Sequence, residues 1–213
     1  MKIKKTNPFY LIIAFMALLL ATLAIVRVNN ITNSVVLSPS INALNINGFL
    51  LPKRLPLANI KFTSTNGSLE STDNFEGQWT LLAVGYTQCP DVCPTTLLKL
   101  NQVIDEIAIE ERPKVALLTI DITPDNINKL HDYMGYFNKD FIGLSTSTEQ
   151  LDEFFQGLGA SYSIKKRANG RVDIDHSTSV YLISPNKRYV ANFPYMLTAE
   201  QMKQDYLAIT RNE

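Results

Sequence analysis

Thiols and imidazoles are scarce in this chain, whose 213 residues include two cysteines and two histidines. Iron–sulfur clusters and four-thiolate zinc sites need more cysteine than that, so both are excluded. Net charge is missing too, because 20 Lys+Arg balance 20 Asp+Glu. Without a basic excess there is no electrostatic footprint for nucleic acid, and specificity has to come from local chemistry. The chain has no internal repeat and no low-complexity tract. At 46% hydrophobic residues it is too apolar for disorder, and its length suits one medium domain plus an appendage.

A long hydrophobic run is present. Phe9–Val26 carries no charge and, at ~1.5 Å per residue, reaches about 27 Å as a helix, enough to cross a bilayer core. A cleaved signal peptide is the alternative, but the small residues that could mark cleavage, near Ala21 and Ala24, lie inside the run. Lys2, Lys4 and Lys5 precede it and only Arg27 closely follows, which sets the N-terminus in the cytoplasm. The expected organisation is a cytoplasmic segment 1–8, a transmembrane anchor 9–27, an Asn- and Ser-rich linker 28–48 and a folded domain 49–213. No Arg-rich amphipathic presequence precedes the anchor, so a single-pass protein of a bacterial inner membrane with its domain in the periplasm is expected.

Within the domain, short apolar runs alternate with amphipathic segments, the pattern of an α/β fold with a central sheet flanked by helices. IKFTSTNGSLES predicts an N-terminal hairpin around Asn66-Gly67. WTLLAVGY (79–86) and VALLTID (115–121) predict buried strands. Between them Leu97, Leu100, Ile104 and Ile107 recur at helical spacing. A helix opens at Pro124-Asp125 and runs toward Phe137, while Ser147 with Gln150 and Thr198 with Gln201 form capping-box pairs ahead of two more. SVYLIS from Ser179, a turn at Pro185-Asn186 and RYVANF predict a late antiparallel hairpin.

YTQCPDVCPTT sits where the first buried strand gives way to a helix. A proline follows each cysteine, which biases Cys89 and Cys93 toward loop geometry and suits Pro94 to the start of the helix. Helix N-termini favour thiolate over thiol, so both sulfurs are expected to ionise readily. An exported protein with two cysteines ordinarily carries a structural disulfide, but this pair closes too short a loop to constrain much of the chain. The spacing supports metal binding or thiol–disulfide chemistry, with Cys89 and Cys93 as the redox pair in the second case. A metal needs a further ligand, and histidine is the natural donor. His131 falls within the amphipathic KLHDYMGYF helix, where packing or solvation accounts for it. His176 precedes the late strand, where such a sheet brings loops beside the first strand–helix junction. Two thiolates and an imidazole suit copper as Cu(I) or Cu(II).

YTQCPDVCPTTL, TIDITPD, FIGLS and DIDHSTSVYLISPN, in that order, resemble the Sco/SenC family over about Leu55–Leu207. The resemblance implies a thioredoxin-like fold with an inserted hairpin and copper ligation by Cys89, Cys93 and His176. It also implies a metallochaperone that helps load the CuA centre of a respiratory haem-copper oxidase. The implied partners are the CuA-bearing subunit, a copper donor protein and a periplasmic thiol reductant. Asp121 matches an acidic position of the family, while Asp91 and Asp175 flank the proposed ligands and could bias the site or hold the imidazole tautomer. The TIDITPD segment lacks the family's Arg-Asp pair. The alternative activity is a thiol–disulfide oxidoreductase acting on CuA-site cysteines. Its weakness is the CxxxC spacing and the absence of a proline before the late strand. A peroxidase lacks its Thr-Pro-x-x-Cys context.

Overall fold

Continuous apolar runs become strands when both faces are covered, and Thr80–Gly85 is such a run, with all six residues buried. Its side chains alternate between two cores. Leu81 and Ala83 enter one, Leu82 and Val84 the other. In the computed structural model the described residues are 44–68, 70–121, 126–166 and 172–213, with Met16, Leu18, Leu20 and Thr22.

The elements that frame the site are β1 (Phe49–Pro56), β2 (Thr63–Ser64), β3 (Thr80–Gly85), α1 (Val92–Asp105), β4 (Lys114–Thr119), α2 (Asn126–Phe137), β5 (Ile142–Ser145) and α3 (Thr148–Leu158). They continue with β6 (Tyr162–Lys166), β7 (Val172–His176), β8 (Val180–Ile183), β9 (Arg188–Phe193) and α4 (Ala199–Thr210). A seven-stranded mixed sheet has the order β1-β9-β8-β3-β4-β5-β2, and β6-β7 forms a separate two-stranded sheet. β3, β4 and β5 are parallel neighbours, and β8 lies antiparallel on the other side of β3. This is a thioredoxin-like arrangement. Helices α1, α2 and α4 cover one face through Leu97, Leu100, Leu130, Met134, Met202 and Tyr206. Helix α3 covers the other through Leu151, Phe154, Phe155 and Leu158.

Several expectations change in detail. The hairpin around Asn66-Gly67 is rudimentary. Its arms share the bonds Phe62 N–H to Glu70 carbonyl (2.7 Å) and Thr72 N–H to Ile60 carbonyl (3.0 Å). The two residues that form a strand, β2, pair with β5 instead. Thr65 draws them there, since its N–H donates to the Gly143 carbonyl and its hydroxyl accepts from the Gly143 N–H, each at 2.9 Å. β1, at the opposite edge against β9, has no counterpart among the predicted strands. The Thr198/Gln201 capping box is complete, but Ser147/Gln150 is half a box. The Gln150 carbonyl oxygen is taken by Lys61 N–H and the Thr146 hydroxyl.

Leu44–Glu213 form one compact unit, and its beginning is fastened by a buried acid. The Asp205 carboxylate, 1% exposed, accepts from Asn47 N–H at 2.9 Å, Asn47 Nδ2 at 3.0 Å and Gly48 N–H at 2.7 Å. The predicted anchor at 9–27 lies outside the described residues, save Met16, Leu18, Leu20 and Thr22, which are helical. Among the described residues no helix is long and apolar enough to cross a membrane. The start predicted for α2 at Pro124-Asp125 also lies outside them.

Candidate metal centre

β3 delivers the chain to the carboxyl end of the sheet, where crevices open in folds of this kind. There Tyr86–Cys89 turns back on itself, with Cys89 N–H donating to the Tyr86 carbonyl at 3.2 Å. Helix α1 then starts at Val92 with Asp91 as its N-cap. Cys93 therefore stands in the first helical turn and only Cys89 in the loop. Pro94 is tolerated because first-turn N–H groups have no intrahelical partner, and its bias against α geometry at Cys93 is outweighed by the turn that the helix gains.

Ionisation at Cys93 runs against the sequence expectation. Cys93 is 2% exposed. Burial first, and the adjacent Cys89 thiol second, push its pKa up to about 12, against the lowering pull of the Tyr86 backbone. Desolvation thus outweighs the helix terminus at this sulfur. The first-turn N–H of Cys93 itself is aimed at the Cys89 sulfur, at 3.3 Å. Gly85 makes room for Cys93, since a Cβ there would lie 2.7 Å from the sulfur.

The third donor arrives from the inserted hairpin. β6 and β7 pair antiparallel with Tyr162 opposite His176. The base of the hairpin closes through Ser177 N–H to the Ser161 carbonyl (2.9 Å) and Ser161 N–H to the Ser177 hydroxyl (3.0 Å). Three residues later β8 enters the sheet beside β3, which sets the end of β7 over the cysteine turn. His176 Nε2 lies 3.6 Å from the Cys93 sulfur. Its Nδ1 is 2.8 Å from the Ser177 carbonyl, an acceptor only, so Nδ1 carries a proton and Nε2 is the nitrogen whose lone pair can serve a metal. The Tyr86 ring meets the imidazole edge to face, centroids 5.9 Å apart.

The donor atoms of Cys89, Cys93 and His176 all lie within 4.8 Å of one another. Two ligands bound at about 2.3 Å (S) and 2.1 Å (N) to one trigonal ion stand about 3.8 Å apart. The spacing therefore fits a single metal ion with little rearrangement. A cleft of about 280 Å³, lined by Tyr86, Cys89, Pro90, Val92, Ile174 and His176 among others, reaches two of these donors, Cys89 and His176. A larger groove of about 550 Å³ along Lys61–Asn74 has no cysteine or histidine in its lining.

The remaining sequence candidates stay outside this cluster. His131 is exposed on α2. Asp175 does not hold the imidazole. Adjacent strand residues face opposite ways, and it is exposed, pairing with Lys165 at 3.4 Å. Asp91 accepts from the Thr95 hydroxyl at 3.4 Å. Asp121, beyond β4, donates its N–H to Thr119 Oγ1 at 3.2 Å. Gly85 and Tyr86 are site-shaping residues that the sequence reading passed over, although both directly precede the cysteine turn.

The SCO1/SenC family profile matches residues 57–211. A putative copper-binding protein of Stutzerimonas stutzeri is 30% identical over 142 residues, covering 66% of this chain and 70% of that protein. Protein SCO1 homolog 1, mitochondrial, of Arabidopsis thaliana is 32% identical over 127 residues, covering 59% of this chain and 38% of the plant protein. The solved structure of Arabidopsis thaliana ScoI with copper bound superposes with a TM-score of 0.66 at 25% identity, covering 73% of this chain and 98% of that one. Because the matched span takes in the cysteine turn, the sheet from β2 to β9 and the hairpin that carries His176, this chain belongs to the SCO1/SenC family.

Proposed function

We propose that this protein binds one copper ion through Cys89, Cys93 and His176 and delivers it during assembly of the CuA centre of a respiratory haem-copper oxidase. In this reading an anchor at 9–27 and a tether at 28–48 hold domain 49–213 on the periplasmic side of a bacterial inner membrane. The observation that carries it is the convergence of two sulfurs from the β3–α1 junction and one imidazole nitrogen from the end of β7. That donor set is soft enough for Cu(I) and accommodates Cu(II). Copper named in relatives of the family supports the choice of metal.

Three ligands leave the ion under-coordinated, so an incoming thiol or imidazole adds before anything has to leave. The half-buried His176 is the ligand displaced first, and the more buried Cys93 the last. Both cysteines must be reduced to accept metal, which calls for a thiol reductant and a copper donor as further partners. Copper titration of the reduced full chain tests the binding. One equivalent is expected, with thiolate-to-copper charge-transfer bands abolished by substitution of Cys89, Cys93 or His176; no uptake overturns the reading. For delivery, deletion of the gene lowers oxidase activity and added copper rescues it, whereas normal CuA content in the deletion strain under copper limitation overturns it.

A second reading rests on the two free thiols lying in the same cluster. The Cys89 and Cys93 thiols would pass two electrons and two protons to a substrate disulfide, leaving a Cys89–Cys93 disulfide and a substrate dithiol. The half-buried Cys89 is the attacking sulfur and Cys93 the resolving one. A His176→Ala variant separates the two, since full activity in vivo without copper binding favours the redox reading.

A further inference from the structure

Two buried side-chain oxygens among the described residues have no hydrogen-bond partner, Thr80 Oγ1 and Tyr133 Oη. An unpaired buried hydroxyl is costly because it loses its bonds to water, so its retention asks for a partner in another state of the protein. Thr80 begins β3, at the end of the strand remote from the cysteine turn. Tyr133 is on α2, and its position points to the metal centre.

Helices α1 and α2 follow the parallel strands β3 and β4, pack on the same face and run in the same direction. Asn138 Nδ2, just past α2, donates to Asn101 Oδ1 on α1 at 2.6 Å and sets the register between them. Tyr133 lies about 7.5 Å of helical rise before Asn138, and Cys93 about 12 Å before Asn101. The difference of about 4–5 Å is within the length of a tyrosine side chain, which leans toward the N-terminus of its own helix. The ring is held edge to face by Phe137, centroids 5.1 Å apart. Burial, then the charge of Cys93 and Cys89, hold the Tyr133 proton on well above the ordinary phenol range. Both sulfurs are therefore within electrostatic reach of the hydroxyl.

We propose that Tyr133 is a positioning residue of the metal centre, its hydroxyl idle in the metal-free protein and donating to the Cys93 sulfur when that sulfur binds copper. A thiolate is a stronger acceptor than a thiol, and a charge-assisted bond is about twice as strong as a neutral one. No electron moves and no covalent bond of Tyr133 breaks. The phenol keeps its proton and orients it toward the sulfur. The inference rests on the copper reading above and extends it from three ligands to the group behind them.

The test compares the full chain with its Tyr133→Phe variant, with Tyr136→Phe as control because Tyr136 is 83% exposed on the same helix. Cu(I) is titrated against a chromophoric chelator, and the metal-free proteins are melted in parallel. Tyr133→Phe is expected to keep or raise the metal-free Tm, to weaken Cu(I) binding about tenfold, within the range for residues that support a metal ligand, and to shift the Cu(II)–thiolate charge-transfer band. Copper loading of the wild type should also perturb tyrosine ultraviolet absorption, a change smaller in Tyr133→Phe, where only Tyr86 on the His176 ring remains to respond. Binding within twofold of wild type, together with an unchanged charge-transfer band, overturns the role of Tyr133 alone. A wild-type chain that takes up no copper overturns the copper reading and this inference with it.

Discussion

Cys93 and His176 are 83 residues apart in the chain, yet the sulfur of one lies 3.6 Å from Nε2 of the other. The contact joins the first turn of α1 to the last residue of β7, and the hairpin carrying His176 has no ladder with the main sheet. The centre is therefore closed by a hairpin that side chains alone join to the core, through Ile174 and Tyr162 and the Tyr162 hydroxyl donating to Asp152 at 2.8 Å, while the two cysteines belong to the strand–helix junction.

The two histidines should respond oppositely to substitution. His176→Ala is expected to lower copper affinity by more than the ~10–100-fold typical of a supporting residue. His131→Ala, exposed on α2, leaves it unchanged. Chelator competition on the two variants checks this, and equal losses would remove the assignment of the third ligand.

Gly85→Ala introduces a methyl group 2.7 Å from the Cys93 sulfur and 3.2 Å from a Leu117 methyl. Since both neighbours are buried, the variant is expected to lose about 1–3 kcal/mol of stability through overpacking and to bind copper more weakly because the sulfur is displaced. Denaturant unfolding and copper titration measure the two effects. An unperturbed site would show that the sulfur can move at no cost.

Stability of the metal-free protein should fall at high pH through Cys93. Its folded pKa, pushed up to about 12, stands above the ordinary thiol value of 9.0, so the folded state holds a proton that the unfolded state releases. The contribution is fully present below about pH 9 and is lost as pH rises toward about 12. Cys93→Ser should flatten the stability profile over that window, as followed by Tm against pH. Copper uptake expels the same proton, so the affinity of the wild type should rise with pH across neutral and mildly alkaline solution.

Asp205→Ala should leave copper binding intact and destabilise the domain. It strips the partner from three donors of Asn47 and Gly48 around a carboxylate that is 1% exposed. A loss of about 2–4 kcal/mol is expected, seen as a Tm lower by on the order of 10 °C. An unchanged Tm would mean that water replaces the carboxylate at the start of the domain.

Much of this protein is legible in its sequence because the relevant physics is short-range. Six consecutive buried residues mark β3, and Leu97, Leu100 and Ile104 mark α1 by their spacing. Thr198 and Gln201 cap α4 with groups that are neighbours in the chain. The same locality placed Cys89 and Cys93 at a strand–helix junction and picked out His176 over His131. It failed where a local preference met a non-local competitor. The strand at Thr63–Ser64 went to β5, the Gln150 side chain to Lys61, and β1 formed only because β9 lay beside it.

What the sequence determined by itself is the inventory of the site: two sulfurs at a strand–helix junction and one available imidazole. The tertiary structure decided their states. Packing of α1 on Gly85 buries Cys93 and raises its pKa, where the helix N-terminus alone predicts the reverse. The carbonyl of Ser177 selects the tautomer of His176, and the Asn138–Asn101 bond sets the register of α2 against α1. Desolvation and long-range contact depend on which surfaces meet, and residues far apart in the chain acquire that relation only when the hairpin and the helices dock on the sheet.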